Sequence, residues 1–283
     1  MNDEKKYGGN GARESNPDGY VAEIFCSVQG EGPYVGEKQL FFRTAGCSET
    51  CRWCDTLYSK RRPRNCTVTL SETHGEYKIP NPMTAGAAVG HALEVAADYP
   101  GTQVVSITGG EPLEQPGFVR AVAGAFKQAG KRVYLETNGI HVAALADVLP
   151  FTDVVAMDIK LPSATRRPLW DAHRAFLSTL GNSPFNPDSE RHRDGERDLF
   201  VKVVVDDRSS REEVETAAAM IASTSRAIPL VLQPESALLL DNENGDARAE
   251  RLKAILADCH QAAAARLDNV RVMPQVHRLL NIR

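Results

Sequence analysis

Short apolar runs alternate along this chain with longer stretches whose apolar residues recur at helical spacing. Seven runs of four to seven residues, most of them rich in β-branched side chains and without polar alternation, predict parallel strands that are buried on both faces. These runs are Gln39–Arg43, Gln103–Thr108, Arg132–Glu136, Asp153–Asp158, Leu199–Val205, Leu230–Gln233 and Asn269–Met273.

The stretches between these runs are predicted to be helices. Their apolar residues follow the i, i+3, i+4, i+7 rule, which places them on one helical face. Alternation of strands and helices indicates right-handed βαβ units. We therefore predict an α/β fold, a full or partial (β/α) barrel whose chemistry lies at the strand ends. The helical stripes are Val214, Ala217, Ala218 and Ile221, then Leu252, Ile255, Leu256 and Cys259, and a similar set at Val89, Leu93 and Ala96.

Three segments depart from this alternation. Residues 1–19 are polar and rich in glycine and asparagine, which predicts a flexible tail before a single domain at 20–283. Residues 57–82 and residues 161–198 are interpreted as loops or insertions, with one short helix expected near Leu169–Leu180.

Composition narrows the class of protein. The 283 residues are 42% hydrophobic and 25% charged, which is the usage of a soluble globular domain. No apolar run approaches the roughly 18 residues of a membrane span, and the polar start is unlike a secretory signal, so a cytoplasmic protein is expected. A net charge of −4 provides no basic field. Neither nucleic acid nor a membrane is expected as a partner.

Three of the six cysteines are clustered. Cys47, Cys51 and Cys54 have the spacing Cys-x3-Cys-x2-Cys directly after a predicted strand. An iron–sulfur cluster of four irons that is held by three thiolates keeps one iron open to another ligand. Structural zinc needs four ligands, usually as two pairs, and no second pair follows at zinc spacing, but a zinc site stays an alternative. The other three cysteines are interpreted as ordinary residues.

Two motifs resemble the radical S-adenosylmethionine (SAM) superfamily. One is the cysteine loop with an aromatic residue before its last cysteine, and the other is Gly109-Gly110-Glu111-Pro112, which resembles the GGEP turn. The resemblance implies a partial barrel of about six parallel strands. It also implies a [4Fe–4S] cluster whose open iron chelates SAM and whose electron cleaves SAM to a 5′-deoxyadenosyl radical. The SAM-binding residues implied are Thr108, Gly109, Gly110, Glu111, Glu136, Asn138, Asp158, Lys160 and Gln233.

A longer pattern resembles the 7-carboxy-7-deazaguanine synthase family. Glu23–Gly32 reads E-x-F-x-S-x-Q-G-E-G, Phe41–Cys47 reads F-x-R-x-x-G-C, and Cys54–Thr56 reads C-D-T. Near the end, Gln275–Arg278 is similar to Q-x-H-K, with arginine where the family prefers lysine. The resemblance covers the chain from about residue 20 to residue 283.

This family resemblance implies an activity. The family converts 6-carboxy-5,6,7,8-tetrahydropterin to 7-carboxy-7-deazaguanine with release of ammonia, on the route to queuosine and related 7-deazapurines. It uses SAM catalytically, requires Mg²⁺, and suggests a homodimer served by flavodoxin or a similar electron donor. Gln29 and Glu31 suit the hydrogen-bonding edge of a pterin, and Arg43 suits its carboxylate. The substrate residues carried over are Gln29, Gly30, Glu31, Arg43, Gln275 and His277, and Thr56 is carried over as the Mg²⁺ ligand.

Two other functions share part of the pattern. A glycyl-radical enzyme activase has the cysteine loop and the GGEP turn, but it does not need a segment that binds a pterin. A non-catalytic zinc module would use the cysteines alone. The basic run Lys60–Arg64 is interpreted as a solvated face, with steering of an anionic substrate as the alternative.

Overall fold

Ten strands form the main sheet in the computed structural model, which describes residues 16–71, 73–189, 197–240 and 245–282. All seven predicted strands are present within one residue of their predicted bounds, so the α/β prediction is confirmed. The strands are β1 (Asp18–Gly19), β2 (Val21–Val28), β3 (Lys38–Thr44), β4 (Asn65–Thr69), β5 (Glu76–Pro80), β6 (Met83–Thr84), β7 (Val104–Gly109), β8 (Arg132–Thr137), β9 (Val154–Asp158), β10 (Asp198–Val205), β11 (Leu230–Pro234) and β12 (Val270–Val272).

The sheet order is β12-β11-β10-β9-β8-β7-β3-β2-β4-β5. The seven strands from β12 to β3 are all parallel, close to the expected number. Strand β2 is antiparallel to β3, β4 is parallel to β2, and β5 is antiparallel to β4. Over the described ranges, β12 and β5 stay separate edges, so the barrel is partial.

The helices follow the strands as predicted. In α6, Ser210 and Glu213 form a capping box that fixes the first turn, and the stripe from Val214 to Ile221 is buried. Cys259 is buried on α8, as its stripe predicts. The helices are α1 (Ala85–Ala97), α2 (Pro116–Gln128), α3 (Val142–Val148), α4 (Pro162–Thr165), α5 (Trp170–Gly181), α6 (Arg211–Thr224), α7 (Ser236–Leu240), α8 (Gly245–Ala264) and α9 (Val276–Leu279).

The two faces of the parallel strands pack differently. One face, including Val105 and Val155, joins the main core beneath the helices. The other carries a small apolar cluster with Tyr134 and Phe200, against which Tyr34 from the β2–β3 loop packs. Side chains of a strand point alternately to its two faces, so these runs must be apolar on both. The β2–β3 loop therefore lies against the inner face of the sheet.

The segments interpreted as insertions contain regular structure. Residues 57–82 form β4 and β5, which extend the sheet beyond β2. Residues 161–198 contain α4 and α5, and α5 confirms the helix expected there, while 190–196 lie outside the described residues. Of the predicted tail, residues 1–15 also lie outside them, whereas β1 pairs with β6. Every helix within the described ranges is too short or too polar to traverse a lipid bilayer.

Candidate active site

A cavity of about 690 Å³ lies over the inner face of the parallel strands and their carboxyl ends. It is lined by the clustered cysteines and by every residue expected above to bind SAM, substrate or Mg²⁺. Residues spread from Gln29 to His277 in the sequence therefore meet in one space. Their individual roles are considered below from the contacts that each side chain makes.

The cysteine loop follows β3 and is held by its backbone. Gly46 N donates to Ser59 O (2.8 Å), Cys47 N donates to Lys60 O (3.3 Å), and Arg52 N donates to Ala164 O (3.2 Å). The two segments interpreted as insertions thus contact the loop from two directions. They help to fix the position of the three thiols.

The paired glycines of the GGEP turn press against this loop. Gly109 has φ +125°, and a Cβ on it would lie 2.2 Å from Thr44 O. A Cβ on Gly110 would lie 2.1 Å from Gly46 O, and Glu111 N donates to that same oxygen at 2.8 Å. In the structure, the glycines allow the ends of β7 and β3 to touch, which positions the cysteine loop.

The three free thiols all line the cavity. Three protein thiolates leave one iron of a four-iron cluster open, whereas structural zinc takes four protein ligands. Burial raises the pKa of Cys47 to about 11 and also raises the pKa of Cys51. The thiolate is the metal ligand, so a bound metal must displace these protons.

Several cavity atoms at the strand ends have no protein partner. Four side-chain atoms are buried without a hydrogen bond to any described residue. They are Nδ2 and Oδ1 of Asn138, Oδ1 of Asp158 and Oε1 of Gln233. A buried polar atom of this kind costs free energy unless a ligand or water pairs with it. These three residues, which we call the unpaired side, present donors and acceptors that fit a polar cofactor such as SAM.

Other residues expected to bind SAM are bonded within the protein. Thr108 Oγ1 donates to Glu136 Oε2 at 2.6 Å, and Lys160 Nζ donates to Asp158 Oδ2 at 2.7 Å while lying 4.3 Å from the Trp53 ring centroid. Glu111 accepts from Thr137 Oγ1 and from two backbone N–H groups. Burial raises the pKa of Glu111 to about 7 despite these donors. Protein partners therefore already hold these side chains in the cavity wall.

The β2–β3 loop and the segment after β12 form a second wall. Gln29 Nε2 donates to Gln39 and Glu136, and its Oε1 accepts from Glu31 N at 3.1 Å. Gln275 Nε2 donates to Glu31 Oε1 at 2.5 Å. We call Gln29, Glu31 and Gln275 the paired side, because protein partners already hold each of them.

Two further residues adjoin the paired side. A Cβ on Gly30 would lie 1.9 Å from His277 Nδ1, so only glycine lets the ring sit there. One atom each of Glu31, Asp55 and His277 that could bind a metal ion lies within 4.8 Å of the other two. Both Glu31 oxygens already accept hydrogen bonds. A divalent cation at this cluster would therefore compete with the Lys202 ammonium and the Gln275 amide for Glu31.

Arg43 is fixed by a carboxylate on the neighbouring strand. Its Nε donates to Glu23 Oε1 at 2.7 Å, and the β2–β3 register places the two residues opposite each other. Its guanidinium also lies 5.8 Å from the Phe25 ring centroid. The side chain lines the cavity in a set orientation, as a carboxylate-binding arginine requires.

Known proteins resemble this chain in sequence. The Radical SAM superfamily model matches residues 41–177. A 7-carboxy-7-deazaguanine synthase from Geobacter sulfurreducens is 33% identical to this chain, covering 94% of it and 98% of the relative. Another from Methanopyrus kandleri is 31% identical, covering 97% and 98%. The chain belongs to the 7-carboxy-7-deazaguanine synthase family.

One solved structure supports the fold of this family member. QueE from Escherichia coli has a TM-score of 0.52 and 17% sequence identity, and the match covers 92% of this chain and 95% of that one. At this identity the likeness concerns the fold alone. It agrees with the partial barrel described above.

Two polar residues that support the cavity walls of this 7-carboxy-7-deazaguanine synthase family member stand out among those that the sequence did not indicate. Lys202 on β10 lines the cavity and donates to Glu31 Oε2. His173 on α5 is fully buried, accepts from Lys160 N and contacts Gly139 O. A signal for Lys202 was present, because a lone lysine in a strand predicted to be buried on both faces needs a partner. His173 gave no comparable signal.

Proposed function

We propose that this protein converts 6-carboxy-5,6,7,8-tetrahydropterin to 7-carboxy-7-deazaguanine with release of ammonia, in 7-deazapurine biosynthesis. The observation that carries the proposal is the joining of three features in one cavity. These are the incomplete cysteine set, the unpaired side and the paired side. A cofactor site and a separate site for a small heterocycle are both needed for this reaction.

The cysteine loop fits a [4Fe–4S] cluster. Cys47, Cys51 and Cys54 would hold three irons, and the fourth would face the cavity. The bound cluster supplies the electron that cleaves SAM. Asn138, Asp158 and Gln233 would bind SAM through their buried unpaired atoms. Burial of these groups excludes water, which strengthens each hydrogen bond to the cofactor.

The paired side fits the pterin. Glu31 would accept hydrogen bonds from the N–H edge of the ring, and Arg43 would bind the 6-carboxylate. Thr56, next to Cys54 in the same cavity wall, would supply one oxygen to Mg²⁺ beside the substrate's own oxygens. Gln29 contributes by fixing the backbone of Glu31 rather than by contacting the ring.

Three further properties belong to the proposal. A one-electron donor such as flavodoxin would reduce the cluster, and the chain would act as a homodimer. Six free thiols suit a reducing compartment such as the cytoplasm.

The test is the reaction itself. Anaerobically reconstituted protein, supplied with 6-carboxytetrahydropterin, SAM, Mg²⁺ and dithionite, should form 7-carboxy-7-deazaguanine, detected by mass spectrometry. Cys47→Ala, Cys51→Ala and Cys54→Ala should each lose both iron–sulfur absorption and product, while Cys259→Ala, on the buried face of α8, should keep both. Full cluster content in the three variants, or a wild-type protein that loads with zinc, would reject the proposal.

A further inference from the structure

Lys202 links two carboxylates that belong to opposite sides of the cavity. Its Nζ donates to Glu31 Oε2, on the paired side, and lies 3.5 Å from Asp158 Oδ2, on the unpaired side. The lysine is the fifth residue of β10, and only 14% of its side chain is exposed. An ammonium group so far from solvent requires anionic partners.

Glu31 is the more constrained of the two carboxylates. Lys202 binds one oxygen, Gln275 binds the other at 2.5 Å, and Gln29 holds the backbone N–H. A carboxylate has about four lone-pair positions, so each oxygen keeps capacity for one more donor. The remaining capacity is available to a ligand in the cavity.

We propose that Lys202 is a positioning residue that keeps Glu31 an anionic, acceptor-only group and so makes the cavity select a heterocycle with neighbouring N–H donors. This inference rests on the proposed function and adds the residue that sets its substrate preference. A protonated Glu31 would present a donor and would repel the N–H edge of a pterin.

The groups around Glu31 favour this state, and Lys202 contributes most. Burial by itself raises the pKa of Glu31, but the adjacent Lys202 ammonium, together with smaller contributions from Gln275 and His277, outweighs burial and lowers that pKa to about 2. The other titratable neighbours are Asp55 from the cysteine loop and His277 from α9. Glu136 on β8 and Asp158 on β9 also act on Lys202 and raise its pKa. The carboxylates of Asp55, Glu136 and Asp158 therefore lie around Glu31 and Lys202. Removal of Lys202 leaves this group of negative charges without its ammonium.

The experiment compares Lys202→Met with Lys202→Arg. Dissociation constants for 6-carboxytetrahydropterin are measured by anaerobic calorimetry on the cluster-loaded protein between pH 6.5 and 8.5. Lys202→Met should weaken binding about tenfold to a hundredfold at pH 8.5, and further as the pH falls, because Glu31 then takes up a proton. Lys202→Arg should follow the wild-type profile. Since all three proteins contain the same other side chains, the difference between profiles isolates the effect of residue 202 on Glu31.

Two controls separate positioning from folding. Lys127→Met removes a lysine that binds Asp153 outside the cavity, and it should leave the pH profile of pterin binding as in the wild type. Lys202→Met combined with Glu31→Gln should lose the added pH dependence. Iron content and thermal melting are measured for each variant, and the profiles are compared for those that keep the cluster.

The outcomes are distinct. A Lys202→Met profile parallel to that of the wild type at every pH overturns the inference, as does a wild-type protein that fails to bind the pterin. If Lys202→Arg keeps the cluster and yet behaves like Lys202→Met, charge is not the cause and the inference also fails. A wild-type protein that binds pterin without forming product contradicts the proposed function, while the pH profiles still decide the role of Lys202.

Discussion

The two sides of the cavity differ in how completely the protein satisfies them. On the unpaired side, Asn138, Asp158 and Gln233 keep buried polar atoms without partners among the described residues. On the paired side, Gln29, Glu31 and Gln275 are held by hydrogen bonds from the protein. The first arrangement gains its bonds when a ligand arrives. The second holds its acceptors in place beforehand, which lowers the entropy cost of binding.

The largest effect is expected where the cysteine loop meets the GGEP turn. Gly110→Ala would place a Cβ 2.1 Å from Gly46 O and push the cysteine loop away. Iron content and product formation should fall about tenfold or more, because overpacking a rigid contact costs several kcal/mol. The control is Gly90→Ala on α1, where a Cβ meets no described atom within 4 Å. Equal iron content in both variants would contradict the assignment of Gly110.

The next effect tests the unpaired side. Asn138→Ala should weaken SAM binding about tenfold to a hundredfold, since two hydrogen bonds to the ligand are lost. Its melting temperature in the absence of SAM should stay at the wild-type value or rise, because two unpaired buried atoms are removed. Calorimetry and thermal melting measure the two quantities. A lower melting temperature with unchanged SAM affinity would show that the Asn138 side chain stabilises the protein and does not bind SAM.

The matching test on the paired side should give the opposite pattern. Gln29→Ala removes the acceptor of Glu31 N and donors to Gln39 and Glu136. The free energy of unfolding should fall by about 1–3 kcal/mol, measured with urea, because buried groups lose their partners. Exposed Gln103 provides the control, and Gln103→Ala should leave stability unchanged. If the two variants are equally stable, the paired side is not preorganised as described.

The smallest effect is expected for the pH dependence of stability through His173, which accepts a hydrogen bond from Lys160 N. Burial lowers the pKa of His173 to about 4, from an ordinary value of 6.5. The unfolded chain therefore binds the proton more readily, and the stabilisation is complete above about pH 6.5 and lost as the pH falls toward 4. Between pH 7 and 5.5 the wild type should lose about 1 kcal/mol more than His173→Gln. Parallel curves for the two proteins would show that His173 does not titrate in this window.

The sequence predicted most of the fold because the parallel strands are continuous β-branched runs. It did not predict β5, whose Glu-Tyr-Lys-Ile-Pro is half exposed along its length. It predicted the lining residues through the order of motifs, but not their partners. Lys202 and Glu31 are 171 residues apart, and Gln275 and Glu31 are 244 apart. Such pairs depend on how the β2–β3 loop crosses the sheet, which no local pattern encodes.

The roles of the glycines and of Gln29 also required the structure. Gly109 and Gly110 pack against the backbone of Thr44 and Gly46, a contact between two strand ends. Gln29 lines the cavity, and its side-chain oxygen accepts a hydrogen bond from Glu31 N. In both cases the contacts are made with neighbouring protein groups, which the sequence alone did not indicate.

The most direct test of the account counts two products in one reaction. Wild-type protein with a loaded cluster is given 6-carboxytetrahydropterin, limiting SAM, Mg²⁺ and dithionite, and 7-carboxy-7-deazaguanine and 5′-deoxyadenosine are quantified together. We expect several molecules of 7-carboxy-7-deazaguanine for each molecule of SAM supplied, with little 5′-deoxyadenosine. Accumulation of 5′-deoxyadenosine without the deazapurine would contradict it, because the cavity would then cleave SAM without binding the pterin productively.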